Sequence, residues 1–138
     1  LAAMIVRTGD GADARLRAAA VDVVAKVDPA YDDAHLAGDV DAVDPTLADR
    51  YVEPLAATMA VPGKERLVAD LVRIALTDGT ITPDQRRVID ATGRGLGLTP
   101  AHVTGIVSSV ASAGSPPPPP DAPGADLGGP DPGAAGPT

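Results

Sequence analysis

The stretch LVRIALTDGTITPDQRRVIDATGRGLGLTP, residues 71–100, decides the fold. Leu71, Ile74 and Ala75 stand three and four residues apart, the spacing of one helix face. Asp78-Gly79 then breaks the pattern. Gly79 suits the left-handed backbone that closes helices, since it has no Cβ to clash. Thr82-Pro83 restarts it: Thr is a good N-cap, and Pro is pre-set for the first helical position. Gln85 lies three residues after Thr82, the spacing of a capping box. Val88, Ile89, Thr92 and Leu96 form the next stripe, which Gly95 and Gly97 close. Thr99-Pro100 opens another helix. Thirty residues thus predict helix, turn, helix, turn, helix, with no strand.

Working outward, the same punctuation recurs. Asp28-Pro29 and Asp44-Pro45 repeat the cap-plus-Pro pair, and Val61-Pro62 marks a start without a polar cap. Leu16, Ala20, Val23, Val24 and Val27 form a stripe before them. Leu67 and Val68 extend the one through Leu71, and Val103, Ile106, Val107 and Val110 form the last. Weaker segments run from Pro29 to about Val43 and from Pro45 to about Met59. Pro54 is expected to kink or split the latter. No stretch alternates with period two between hairpin turns. The expectation is an all-α bundle of six to seven helices, with short joints making neighbours antiparallel.

At Gly114 the composition changes. Pro116 to Pro120 is an unbroken proline run, and the remainder is mostly Pro, Gly, Ala and Asp. Such a segment has too little apolar surface to offset the entropy of ordering it. The chain therefore divides into a helical domain, 1–113, and a disordered tail, 114–138, with the proline run extended as polyproline II.

Composition narrows the function. Of the 138 residues 44% are apolar, yet there is no Phe or Trp, and Tyr31 and Tyr51 are the only aromatics. The core must be aliphatic, at roughly 1.5–3 kcal/mol per buried side chain, and modest stability is expected. Without aromatic platforms and with a net charge of −8, nucleic acid is not an expected partner. Residues 1–60 hold eleven acidic and five basic side chains, so the charge is concentrated in the first half. There is no cysteine, hence no disulfide or thiolate metal site. No apolar run approaches the ~20 residues of a membrane span, although association with a membrane surface stays open. The opening Leu1–Val6 is a poor secretory leader, being short and without a preceding basic region. A cytoplasmic protein is expected, and a helix continuing ahead of Leu1 stays open.

Motifs for chemistry are few. Residues 77–85 look like the second half of a calcium-binding EF-hand loop. The first ligand positions would be Ile74 and Leu76, which offer no side-chain oxygen, and the closing Glu would be Gln85. The acids Asp28, Asp32, Asp33, Asp39, Asp41 and Asp44 could gather a hard cation, but caps at Asp28 and Asp44 and a solvated face account for them. His35 and His102 lack zinc spacing, and His102 is expected at the surface. Ser108, Ser109, Ser112 and Ser115 have no His or Asp pattern to activate a nucleophile. No enzyme activity and no cofactor is expected.

The two halves echo each other. Asp10-Gly11 follows a short apolar segment and precedes the stripe from Leu16, as Asp78-Gly79 precedes that from Val88. Allowing a three-residue deletion after Gly11 aligns Asp13 with Asp84 and Arg15 with Arg86.

Glu65 to Val103, with its Ala-x-x-Asp-Gly-x-Ile turn at Ala75–Ile81 and its Leu96-Gly97-Leu98 before a capped helix, resembles the TerB-like family of tellurite-resistance proteins. The same domain forms the N-terminal part of the co-chaperone DjlA. The opening LAAMIVRTGDG, Leu1 to Gly11, looks like the family's first copy of the turn. The resemblance covers roughly residues 1–110. It implies a bundle of about seven helices in two pseudo-repeats, without enzymatic activity, serving stress-associated complexes near the inner membrane face. Divalent-metal binding in some relatives implies candidate ligands at Asp10, Asp13, Asp78 and Asp84. This sequence departs from the pattern in its shorter first turn, which lacks the Ile, and in Gln85 where an acid is usual. The expected function is a non-enzymatic interaction module with a protein partner, in tellurite or general stress response. The alternatives are a divalent-cation sensor or buffer at the Asp-Gly turns, and a scaffold acting through the proline-rich tail.

Overall fold

The computed structural model describes residues 1–10 and 13–113. The tail assigned from Gly114 onward lies outside the described residues. Seven α-helices and no strand are found among them: α1 (Ala2–Thr8), α2 (Ala14–Ala25), α3 (Asp33–Ala42), α4 (Ala48–Ala56), α5 (Val61–Ala75), α6 (Pro83–Gly95) and α7 (Pro100–Ala113). Short 3-10 turns at Pro45–Leu47 and Leu76–Asp78 precede α4 and follow α5.

The shortest helix is the centre. Ala2, Ala3, Met4, Ile5 and Val6 are all buried, because α1 is touched by α2, α3, α5 and α6. A helix surrounded by others has no polar face to keep. Leu16 and Ala20 of α2, Leu36 of α3, Val68, Leu71, Val72 and Ile74 of α5, and Val88, Ile89 and Leu96 of α6 close around it, and Val52 of α4 joins the same core from the far side of α6. The stripes of α5 and α6 are buried as their spacing predicts. That of α2 fades toward its end, and Val27 is 85% exposed.

Three expectations need correction. Asp28-Pro29 does not start a helix. The Asp28 carboxylate accepts from the Ala30 N–H at 3.2 Å in a tight turn, and Asp32 caps α3 instead, accepting from the His35 N–H at 3.0 Å. An Asx turn and an N-cap use the same acceptor, so the pair alone does not tell them apart. Pro54 does not split its segment in the middle: α4 runs through it and ends two residues later, at Ala56. The half-buried His102 is not free at the surface, because its Nε2 meets Glu65 Oε2 at 2.5 Å.

The caps also revise the repeat register. Asp13 is the N-cap of α2 and Thr82 that of α6. The structure therefore matches Asp13 with Thr82, not with Asp84, and the first turn is one residue shorter than the second instead of three. Leu16 then matches Gln85, each the third residue of its helix and each buried.

Gln85 and Thr82 tie the halves together. Gln85 Oε1 accepts from the Thr82 N–H at 2.9 Å, and Thr82 Oγ1 accepts from the Gln85 N–H at 3.1 Å, completing the capping box. Gln85 Nε2 donates to the Ile5 carbonyl at 3.2 Å, and the Thr82 hydroxyl donates to the Thr8 carbonyl at 3.0 Å. The Ile5 carbonyl, which also accepts from the Gly9 N–H at 3.1 Å, and the Thr8 carbonyl at the end of α1 thereby gain donors from outside their own helix. The start of α6 supplies them.

α4 lies against α6, where Gly95 makes room. A Cβ there would come within 2.8 Å of Asp49 Cα and 2.7 Å of Val52 Cγ2. α5 and α7 run in the same direction, as the first and third of three successive hairpin helices must. Glu65 meets His102 at one end, and Arg73 lies beside Val110 at the other.

Candidate functional site

The loop after α1 and the 3-10 turn after α5 come together at the surface, bringing Asp10, Asp13 and Asp78 into one neighbourhood. Local structure fixes each. Asp13 caps α2, its carboxylate accepting from the N–H groups of Arg15 at 2.8 Å and Leu16 at 3.4 Å. The Arg15 guanidinium stands 3.8 Å from the other oxygen. Asp78 ends its 3-10 turn where Gly79 takes φ 92°, the left-handed value expected from the sequence.

The Asp13 and Asp78 carboxylates are close enough to act on each other's proton, and a hydrogen bond between them requires one of the two to be protonated. The Arg15 N–H and that shared hydrogen bond hold Asp13 below the usual carboxylate range. The hydrogen bond to Asp13, desolvation and repulsion from Asp13 push Asp78 above it, with Asp10 adding to the repulsion and Arg15 opposing it. Two carboxylates in contact accommodate a proton, a cationic side chain or a cation between them.

Asp84 is placed elsewhere. It is the second residue of α6, ion-paired with Arg87, and it borders a different groove with Thr8, Pro45 and Thr46. Of the four candidate acids the structure gathers three. Among the described residues no group of three or more His, Cys, Asp or Glu is arranged to hold a metal ion. Asp13 and Asp78 are thus a carboxylate pair with a nearby charge, not a formed ligand set.

The other acidic stretch is largely committed to local structure. Asp33 binds Arg17 at 3.0 Å, Asp39 accepts from the Tyr31 hydroxyl at 2.7 Å, and Asp44 accepts from Thr46 Oγ1 at 2.6 Å. Asp32 takes His35 Nδ1 at 2.7 Å in addition to its cap.

A second surface feature was missed in the sequence. A groove of about 820 Å³ runs between α5 and α7, with Ala69, Ile106 and Val110 on its floor and Lys26, Arg66 and Arg73 on its rim. The signal was present in α7: Pro100–Ala113 carries no charged residue, yet Val103 is its only fully buried side chain. A helix without charge ordinarily hides more of itself.

No family model, curated protein or solved structure matches this chain. Among the described residues no helix is long and apolar enough to cross a membrane.

Proposed function

We propose that the chain is a non-enzymatic interaction module of the TerB-like type, cytoplasmic, taking a protein partner in tellurite or general stress response. One arrangement supports this reading above the others. Each half contributes an acidic turn followed by an N-capped helix, and the two turns meet, with Asp13 against Asp78. The signature in the second half and its shorter copy in the first are therefore parts of one surface. The test is genetic. Deleting the gene should lower tellurite tolerance in the native cell, and the wild-type chain should restore it where Asp13→Asn/Asp78→Asn does not. Unchanged tolerance to tellurite and other stresses after deletion would remove the reading.

The Asp13–Asp78 contact also favours a second reading, a divalent-cation sensor or buffer using Asp10, Asp13 and Asp78. Hard cations take oxygen ligands, and a cation there would relieve the repulsion between the two carboxylates. Calorimetric titration of the full chain with calcium, magnesium and manganese separates the readings. Heat at submillimolar metal that disappears in Asp78→Asn supports the cation. No heat below millimolar concentration eliminates it.

A further inference from the structure

The α5–α7 groove is apolar on its floor and basic on its rim, in a chain whose net charge is −8. Among the described residues Arg73 is held by Asp70 at 2.8 Å and His102 by Glu65, while Lys26 and Arg66 have no ion-pair partner. Ile106 and Val110 are only half-buried. The groove therefore presents two uncompensated cations beside an aliphatic strip, and it suits an acidic, uncrowded segment with small apolar side chains.

The chain itself carries such a segment. Residues 114–138 contain Asp121, Asp126 and Asp131, no Lys or Arg, and otherwise mostly Pro, Ala and Gly. They begin directly after Ala113, which lines the adjoining end of the groove with Leu76, Gly79 and Val110. The lengths match. From Ala113 back to His102 the helix rises about 16 Å at 1.5 Å per residue. Pro116–Pro120 spans about 15 Å at 3.1 Å per residue in the conformation proline runs favour. A chain reversing at Gly114-Ser115 and laid along α7 brings Asp121 level with His102, beside Lys26 and Arg66.

We propose that residues 114–138 occupy the α5–α7 groove of their own chain, with the carboxylate of Asp121 against Lys26 and Arg66. The tether makes this contact effective even if each ion pair is weak, because a short linker supplies millimolar effective concentration. The inference stands apart from the acidic turns and from the reading built on them.

The absence of cysteine gives a direct test. Ala122→Cys in the full chain carries a single nitroxide, and amide signals of the ¹⁵N-labelled protein report what it approaches. At low salt, broadening should be several-fold stronger at Arg66, Ala69, Ile106 and Val110 than at α3 or α4. It should fade when salt screens the rim, and also in Lys26→Glu/Arg66→Glu. Salt makes the same test without a substitution, should that variant fail to fold. Broadening absent from the groove, or spread evenly over the surface, overturns the proposal. So does broadening that appears only between labelled and unlabelled chains in a mixture, which would assign the groove to a second copy.

Discussion

Gln85 is 1% exposed and uses both ends of its amide. Its oxygen closes the capping box, and its nitrogen donates to the Ile5 carbonyl. An acid at this position, as the TerB-like pattern has it, would set a carboxylate against that carbonyl. Gln85→Glu should therefore destabilise the fold by about 1–3 kcal/mol, the cost of an unsatisfied buried polar group, measured by denaturant unfolding. A carboxyl group buried there has its folded pKa raised, so the deficit should shrink on acidification, when a protonated Glu can again donate. The carboxylate pair behaves in a related way. The folded pKa of Asp78 is raised, so the stability its protonated form contributes is lost as pH rises through that pKa. Asp78→Asn keeps a donor toward Asp13 at every pH. It should raise the melting temperature at pH 7, and the gain should vanish once both proteins are measured below the ordinary carboxylate range. An equal effect at both pH values would show that the carboxylates do not share a proton.

Helix starts were legible at Thr82 and Thr99, where a single acceptor followed by Pro makes its bond within one turn of chain. Asp28 misled for the same reason: a local acceptor serves a turn or a helix, and the packing of Leu36 into the core favours the helix that begins after Asp32. Gly95 read as mere helix closure, but it is where α4 crosses α6. In an exposed helix Gly→Ala stabilises by about 0.8–1 kcal/mol. Gly95→Ala should do the reverse, because the new methyl meets Asp49 backbone and Val52. Overpacking of this kind costs about 1–3 kcal/mol, and a thermal melt comparing Gly95→Ala with Gly105→Ala checks it. Gly105 has nothing within 4 Å of its would-be Cβ, so propensity alone acts there and that variant should gain.

At the scale of the molecule, a seven-residue helix lies at the centre and a fourteen-residue one at the edge. Isolated short helices are marginal in water, so the order of α1 comes from what surrounds it. Hydrogen exchange should find the amides of Ile5 and Val6 among the slowest, and those of the outer turns of α7 faster despite its length. The opposite order would contradict the central position of α1. By itself the sequence determined the all-helical class and most boundaries, since stripes and caps depend on residues within a turn or two. It also marked the two Asp-Gly turns. Only the tertiary structure decided that these turns meet while Asp84 stays apart, that Gln85 reaches across eighty residues to Ile5, and that α5 and α7 leave a basic groove between them. Those relations depend on how helices are packed, and helical periodicity records which face is buried but not which neighbour buries it.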